Sequence, residues 1–144
     1  MKLDGQAALV TGGASGLGAA TAKALASAKV KVAILDTDIE GGKAIAKEID
    51  GIAIECDVSN EQSGERAIEI ARENNGPARV LINCAGIGPA ERIVGKTGPM
   101  PLDNFRRVIE INLIGSFNLM RLAAADMMNF CLLYTSPSPR DSRR

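Results

Sequence analysis

Short, continuously apolar runs alternate along the chain with longer segments in which apolar residues recur at helical spacing. A strand buried on both faces is apolar at every position, whereas an amphipathic helix repeats its apolar residues every three or four positions. The apolar runs therefore predict strands, and the periodic segments predict helices. The predicted strands are residues 7–11, 31–36, 52–57 and 78–86, and the predicted helices are residues 18–28, 39–50, 59–74 and about 102–128.

Strands that alternate with helices favour parallel pairing through right-handed helical crossovers. We therefore predict an α/β fold, a Rossmann-type doubly wound parallel sheet. Four strands make about half of such a sheet, whose usual order is 3-2-1-4-5-6. In that order the fourth strand pairs with a fifth, and no fifth strand follows in residues 1–130. These residues are therefore predicted to be the N-terminal part of a single domain.

Local patterns add detail to three helices. Ser59 and Gln62 have the spacing of a capping box, which predicts that the third helix begins there. Gly41 and Gly42 weaken the start of the second helix. The fourth helix is the longest, and its apolar positions repeat at helical spacing. These positions are Phe105, Val108, Ile109, Leu113, Phe117, Met120 and Met127.

Composition excludes several functions. The chain is 46% hydrophobic and 24% charged with a formal net charge of zero, which argues against a bulk electrostatic grip on nucleic acid or an anionic membrane. The apolar runs are judged too short for a bilayer span and no secretory signal is recognised, so a cytoplasmic protein is expected. The absence of histidine excludes His-dependent triads and HExxH metal sites. Cys56, Cys84 and Cys131 are scattered and form no CxxC pair, which argues against a zinc site or a disulfide framework.

A glycine cluster, TGGASGLG at residues 11–18, joins the first predicted strand to the first helix. Gly12, Gly16 and Gly18 have the spacing GxxxGxG, which differs from the GxGxxG fingerprint. Glycines at such a turn let the backbone approach a pyrophosphate, and the amides at the helix start face its negative charge. From spacing alone, a plain strand-to-helix turn explains the cluster equally well.

Asp36 shifts the balance towards a dinucleotide site. It ends the second strand about 20 residues after the cluster, where dinucleotide-binding folds place an acid on the adenosine ribose. A carboxylate there accepts hydrogen bonds from both ribose hydroxyls and repels a 2′-phosphate, which favours NAD over NADP. The alternative is an aspartate that caps the next turn.

Other strand ends carry further candidates. Asp57 with the Val58 backbone could meet the adenine, although position alone favours a turn aspartate leading into Ser59. The fourth strand ends in NCAG, which comprises Asn83, Cys84, Ala85 and Gly86. Small residues there leave room for a flat ribose–nicotinamide half, and Asn83 could tie neighbouring strands together. Cys84 is more often a small buried residue than a reactive thiol.

Asn112 and Gly115 lie inside the fourth helix, where both residue types are unfavourable. One interpretation is a tolerated pair at a helix–helix contact. The other is a local kink that exposes a backbone carbonyl.

As a set, these motifs resemble the short-chain dehydrogenase/reductase family. TGGASGLG is similar to its TGxxxGxG loop, INCAGI to its NNAG motif and INLIG to its helix-asparagine segment, over about residues 5–130. Within the family, the cysteine in NCAG and the long loop before LDNFRRV look most like the type-2 3-hydroxyacyl-CoA dehydrogenases. The resemblance implies reversible hydride transfer between NAD and the 3-hydroxyl carbon of an acyl-CoA thioester, in a homotetramer.

The resemblance also assigns roles to residues. It implies that Ser15, Leu17, Asp36, Asp57, Val58 and Cys84 bind the cofactor. It implies that Asn112 belongs to a catalytic tetrad, where its kinked helix holds a water in a proton relay. The remaining tetrad members, a serine and a YxxxK pair, would lie beyond residue 130. Tyr134 is rejected as the catalytic tyrosine because Ser138 stands in the lysine position. The chain by itself is therefore expected to be poorly stable and inactive.

Two other functions stay open. A non-catalytic dinucleotide-binding module would explain the missing tyrosine without a missing segment. A reductase acting on a sugar or steroid would use the same cofactor half.

The segment CLLYTSPSPRDSRR, residues 131–144, does not match the preceding helix. As a peptide it reads as a disordered end. Residues 131–141 also look like the translation of a transposase-type sequencing adapter. We therefore expect this tail to be non-native and to carry no fold or site.

Overall fold

A computed structural model describes residues 2–130, and the tail expected to be non-native lies outside them. Four parallel strands form a sheet in the order β3-β2-β1-β4, which confirms the predicted α/β architecture. The strands are β1 (Ala7–Thr11), β2 (Lys31–Asp36), β3 (Ile52–Glu55) and β4 (Ala78–Asn83). The helices that connect them are α1 (Gly16–Ser27), α2 (Ile39–Ile49) and α3 (Glu61–Asn75).

The strands are continuously apolar because both sheet faces are covered. Side chains alternate between faces along a strand. In β1, Leu9 belongs to one buried cluster, whereas Ala8 and Val10 belong to the other. The Leu9 cluster packs beneath α3 and the last helix, and the other cluster packs beneath α1 and α2.

Two strands end earlier than predicted. The structure ends β3 at Glu55 rather than at residue 57, and β4 at Asn83 rather than at residue 86. Their first residues beyond the strand still pair, since the Cys56 amide donates to the Asp36 carbonyl at 3.0 Å and the Cys84 amide to the Thr11 carbonyl at 3.2 Å. The following residues turn away from the sheet edge and form loops there.

The predicted capping box of α3 is wrong. Asn60 is the N-cap, and its side-chain oxygen accepts from the Ser63 amide at 2.8 Å. The Ser59 hydroxyl instead donates to the Asp57 carboxylate at 2.7 Å. An acid two residues upstream competes for the serine, and the helix therefore begins one residue after Asn60. Helix α2 begins at Ile39 despite its glycines, because Asp38 caps the Gly41 amide at 3.0 Å.

A small antiparallel hairpin lies in the loop after β4, which the sequence pattern did not predict. It consists of β5 (Val94–Gly95) and β6 (Gly98–Pro99). The long helix that follows is continuous but has three parts: α4 (Leu102–Ile109), a π-helical segment (Glu110–Gly115) and α5 (Ser116–Phe130).

The apolar repeat of this long helix does not mark its buried face. Phe105, Leu113, Phe117 and Met120 are each at least half exposed among the described residues. The sheet is instead contacted through the opposite stripe of α5, which includes Leu119 and Ala123. Helical spacing thus predicted the helix correctly without showing which side packs.

The long helix also corrects the expectation that every apolar run is too short for a bilayer. Leu102–Phe130 spans 29 residues with a window of mean hydropathy 1.3, so it is long and apolar enough by those criteria. A core helix passes the same test. Here Arg121 pairs with Glu61 of α3 at 2.6 Å, and Asp126 pairs with Arg72 of α3, which favours a helix docked on the protein.

Candidate functional site

A cleft of about 880 Å³ opens at the carboxyl ends of the parallel strands, where open α/β sheets bind their ligands. Its walls come from the loops after β1, β2, β3 and β4 and from one side of α4. Most of the residues predicted to bind a cofactor line this one cleft. They are Gly12, Ser15, Gly16, Leu17, Gly18, Asp36, Asp57, Val58, Cys84, Ala85 and Gly86.

At Gly12 and Gly18 neighbouring backbone atoms leave no room for a side chain. A Cβ on Gly12 would lie 2.7 Å from the Ala85 amide nitrogen, and a Cβ on Gly18 would lie 2.0 Å from the Gly12 carbonyl oxygen. Gly12 also has a φ of 64°, which side chains disfavour. These glycines bring the loop against the start of α1 and against the residues after β4.

The N-terminus of α1 is suited to an anion. Ser15 is its N-cap, yet the Ser15 hydroxyl makes no capping hydrogen bond, and the first turn contains no acidic residue. Unpaired amides and the helix dipole attract negative charge at such a terminus. Leu17 is 84% exposed at the cleft wall, which leaves its apolar surface open to a ligand.

Asp36 links the glycine loop to the end of β2. One carboxylate oxygen accepts from the Ala14 amide and the other from the Asp38 amide, both at 3.0 Å. The alternative interpretation, an aspartate that caps the next turn, is therefore part of its role. Each oxygen has a second lone pair, so the carboxylate can still accept hydrogen bonds from the cleft.

Asp57 likewise stabilises a turn and lines the cleft. Its Oδ1 accepts from both the amide and the hydroxyl of Ser59, at 3.0 and 2.7 Å. Its own amide donates to the Ser63 hydroxyl at 2.9 Å. The adjacent Cys56 is buried, and burial raises the pKa of its thiol to about 11, which makes it a poor nucleophile.

Thr11 is a site residue that the sequence reasoning did not single out. It is fully buried at the end of β1, and its hydroxyl oxygen lies 3.1 Å from the amides of both Cys84 and Ala85. It therefore fixes the loop after β4 against the glycine loop. The only sequence signal was its position directly before Gly12.

Asn83 and Asn112 are the two predicted residues that do not line the cleft. The Asn83 side-chain oxygen is buried and finds no partner among the described residues, so its predicted link to a neighbouring strand stays a prediction. Asn112 acts from behind the cleft wall. Its side chain exchanges two hydrogen bonds of 2.8 Å with the backbone of Ile87, which does line the cleft.

The predicted irregularity at Asn112 is a π-helical segment. The Asn112 carbonyl is not left open, because the Ser116 hydroxyl donates to it at 2.8 Å. π-Helical insertions are frequent at functional sites. This one turns the Asn112 side chain towards the loop after β4 rather than towards another helix, which excludes the helix–helix interpretation.

Charged side chains of the long helix also line the cleft, and sequence reasoning missed them. Arg106, Arg107, Asp103 and Glu110 line the same cleft as the strand-end acids Asp36 and Asp57. Arg106 is paired with Asp103 at 2.9 Å.

This architecture and its glycine-lined cleft define a protein of the dinucleotide-fold class, and the family is established by direct comparison. Residues 6–130 match the family model described as short chain dehydrogenase, and the chain belongs to this family.

The chain is 40% identical over 127 residues to 3-hydroxyacyl-CoA dehydrogenase type-2 from Bos taurus, a match that covers 85% of this chain and 49% of the relative. The chain spans about half the length of the curated relatives it matches. A solved 3-ketoacyl-(acyl-carrier-protein) reductase from Brucella melitensis, complexed with NADH, superposes with a TM-score of 0.81 at 31% identity, covering 88% of this chain and 52% of that one. A hydroxysteroid dehydrogenase from Escherichia coli superposes with a TM-score of 0.80 at 29% identity, covering 89% and 55%.

Proposed function

We propose that this chain is the cofactor-binding part of an NAD-dependent oxidoreductase. The complete protein would oxidise a 3-hydroxyacyl-CoA to the 3-oxoacyl-CoA. The observation that carries the proposal is the cleft at the strand ends, in which Asp36 is hydrogen-bonded to the glycine loop. Membership of the short chain dehydrogenase family and the solved relative with NADH support it.

The residues of the cleft fit a dinucleotide. The close approach at Gly12 and Gly18 provides the flat backbone surface that a pyrophosphate needs, and the α1 terminus supplies amides for its charge. The loop containing Asp57 and Val58 would hold the adenine, and Cys84–Gly86 would face the nicotinamide half. When bound, NAD supplies the hydride acceptor, and the protein supplies binding and orientation.

Asp36 supports NAD over NADP. It lies at the end of β2, and its carboxylate is already oriented by two backbone amides. A carboxylate held in this way accepts hydrogen bonds from ribose hydroxyls and repels a 2′-phosphate. The basic side chains of the cleft lie on α4, and Arg106 is neutralised by Asp103.

Asn112 would serve the reaction through the backbone that it holds. Its amide fixes Ile87 at the cleft wall, and the π-helical segment keeps this contact in place. We propose that this Asn112–Ile87 contact orients a water in the proton relay that serves the general acid/base. Loss of the contact would then slow proton transfer more than it weakens cofactor binding.

The acyl-CoA substrate class rests on the name and identity of the Bos taurus relative. The test is to express the complete gene product that carries this chain and to assay it with a 3-hydroxyacyl-CoA and NAD. We expect reversible reduction of NAD, weaker activity with NADP, and a homotetramer by light scattering. Turnover of a steroid or sugar alcohol, and not of the acyl-CoA, would show that the proposed substrate class is wrong. NAD binding without any turnover would favour a non-catalytic module.

A further inference from the structure

The loop after β3 has no regular structure of its own, although it forms one end of the cleft. Residues 56–60 lie between β3 and α3, and Asp57 and Val58 in this loop line the cleft. Part of the loop is held by its own backbone, since the Asn60 amide donates to the Asp57 carbonyl at 3.1 Å, and side chains from other elements fix it further.

One of these side chains is Asn118 on α5, which does not touch the cleft. Asn118 is 6% exposed, and its Nδ2 donates to the Val58 carbonyl at 2.9 Å and to the Asn60 carbonyl at 3.3 Å. A single amide group thus binds two backbone carbonyls of the turn that carries Val58. The Val58 contact is buried, where a lost hydrogen bond is costly.

The orientation of the Asn118 amide is itself fixed. Its Oδ1 accepts from the Arg121 guanidinium at 3.2 Å from Nε and 2.8 Å from Nη2. The same Nη2 lies 2.6 Å from a Glu61 carboxylate oxygen at the start of α3. Since the guanidinium can only donate, the amide must turn its NH₂ group towards the loop.

The helix also approaches the loop closely enough to restrict its movement. A Cβ on Gly115 would lie 2.5 Å from a methyl carbon of Val58. The π-helical segment ends at Gly115, so this contact and the Asn112 contact with Ile87 come from the same irregular turn. The long helix therefore supports Val58 both by packing at Gly115 and by a hydrogen bond from Asn118.

We propose that Asn118 is a positioning residue for the dinucleotide: it sets the Val58 backbone and thereby the Asp57 side chain that faces the cleft. The inference rests on the proposed dinucleotide-binding function and adds to it a determinant of affinity that lies outside the cleft. It requires that a change at Asn118 weaken cofactor binding even when the fold and the chemical step are intact.

The test compares Asn118→Asp with Asp126→Asn in the complete gene product. The aspartate retains the acceptor for Arg121 but loses both N–H donors and places negative charge against two carbonyls. Asp126 is a matched control because it is 8% exposed on the same helix and also binds α3, through Arg72. We expect Asn118→Asp to raise the Kd for NADH and the KM for NAD about tenfold while kcat changes less than about twofold.

Asp126→Asn should lower the melting temperature without changing the KM for NAD. An Asn118→Asp enzyme with the wild-type KM and Kd would overturn the inference, as would an equal KM rise in the Asp126→Asn enzyme. If Asn118→Asp does not fold, Arg121→Gln provides the second measurement: freeing the amide should raise the KM about threefold, and an unchanged KM would overturn the inference. A wild-type protein that binds neither NADH nor NAD would defeat the proposed function itself.

Discussion

Asn112 and Ile87 exchange two hydrogen bonds: the Asn112 Nδ2 donates to the Ile87 carbonyl, and the Asn112 Oδ1 accepts from the Ile87 amide, both at 2.8 Å. The pairing resembles one rung of a β-ladder made by a side chain. It joins the middle of the long helix to the loop that leaves the sheet at the cleft.

Replacing Asn112 by aspartate should reduce kcat of the complete protein at least about tenfold. The carboxylate can still accept from the Ile87 amide, but it repels the Ile87 carbonyl and loosens the cleft wall. Steady-state kinetics measure the loss. Asn104→Asp on α4 is the control, since its exposed amide donates to Glu91 rather than to the cleft wall. Equal losses in both variants would contradict a specific role for Asn112.

Replacing Gly18 by alanine should destabilise the protein by about 3 kcal/mol or more and prevent NADH binding. The new methyl group would lie 2.0 Å from the Gly12 carbonyl oxygen, a backbone atom that cannot move cheaply. Urea unfolding and fluorescence titration measure the two effects. Gly88→Ala is the control because its Cβ would meet open space. Tight NADH binding by the Gly18 variant would refute the proposal that the backbone at Gly12 and Gly18 binds the pyrophosphate.

Replacing Asp36 by asparagine should weaken NAD binding about tenfold and narrow the preference for NAD over NADP. An amide offers one acceptor oxygen in place of two, so it cannot satisfy both the Ala14 and the Asp38 amides. The ratio of kcat/KM for the two cofactors tests this. Asp38→Asn is the control, since asparagine caps a helix as well as aspartate does. An unchanged ratio would remove Asp36 from cofactor selection.

Cys84 should react with an alkylating reagent at pH 8 while Cys56 stays unmodified in the folded protein. Cys56 is buried, whereas Cys84 is partly exposed. Burial raises the Cys56 pKa to about 11, and the charges of Asp57 and Asp36 add to that effect, partly offset by the Ser63 hydroxyl. Mass spectrometry of the digested protein identifies the labelled peptide. Rapid labelling of Cys56 would show that the loop after β3 opens readily.

The same pKa gives a pH dependence of stability. The thiol is protonated in both states below its ordinary pKa of 9.0, and it ionises first in the unfolded chain, because the folded value is about 11. Stability should therefore fall by roughly a few kcal/mol between pH 9 and 11. Cys56→Ala should lack this component of the fall in urea midpoint, and an equal fall in both proteins would exclude it.

The local chemistry of the chain was sufficient to predict the fold and most of the cleft. A strand that is apolar at every position must be covered on both faces of its sheet, and helical crossovers between parallel strands provide that cover. The apolar runs therefore predicted a parallel sheet. Because parallel strands all end at one edge, residues at or just after the ends of separate strands, such as Gly12, Asp36 and Cys84, had to meet there. Their convergence follows from topology alone.

Only the tertiary structure decided how these residues are held. The buried Thr11 hydroxyl and the Asn118 amide bind backbone groups that are distant in sequence. The Asn60 cap prevailed over the neighbouring Ser59, which the sequence pattern had favoured. The exposed side of the long helix was also undetermined, because helical spacing shows periodicity and not which partner covers a face. The sequence by itself determined which groups reach the cleft, since strand ends and glycine turns are local properties. The structure decided which groups hold them in place, since hydrogen bonds between distant segments exist only once the chain has packed.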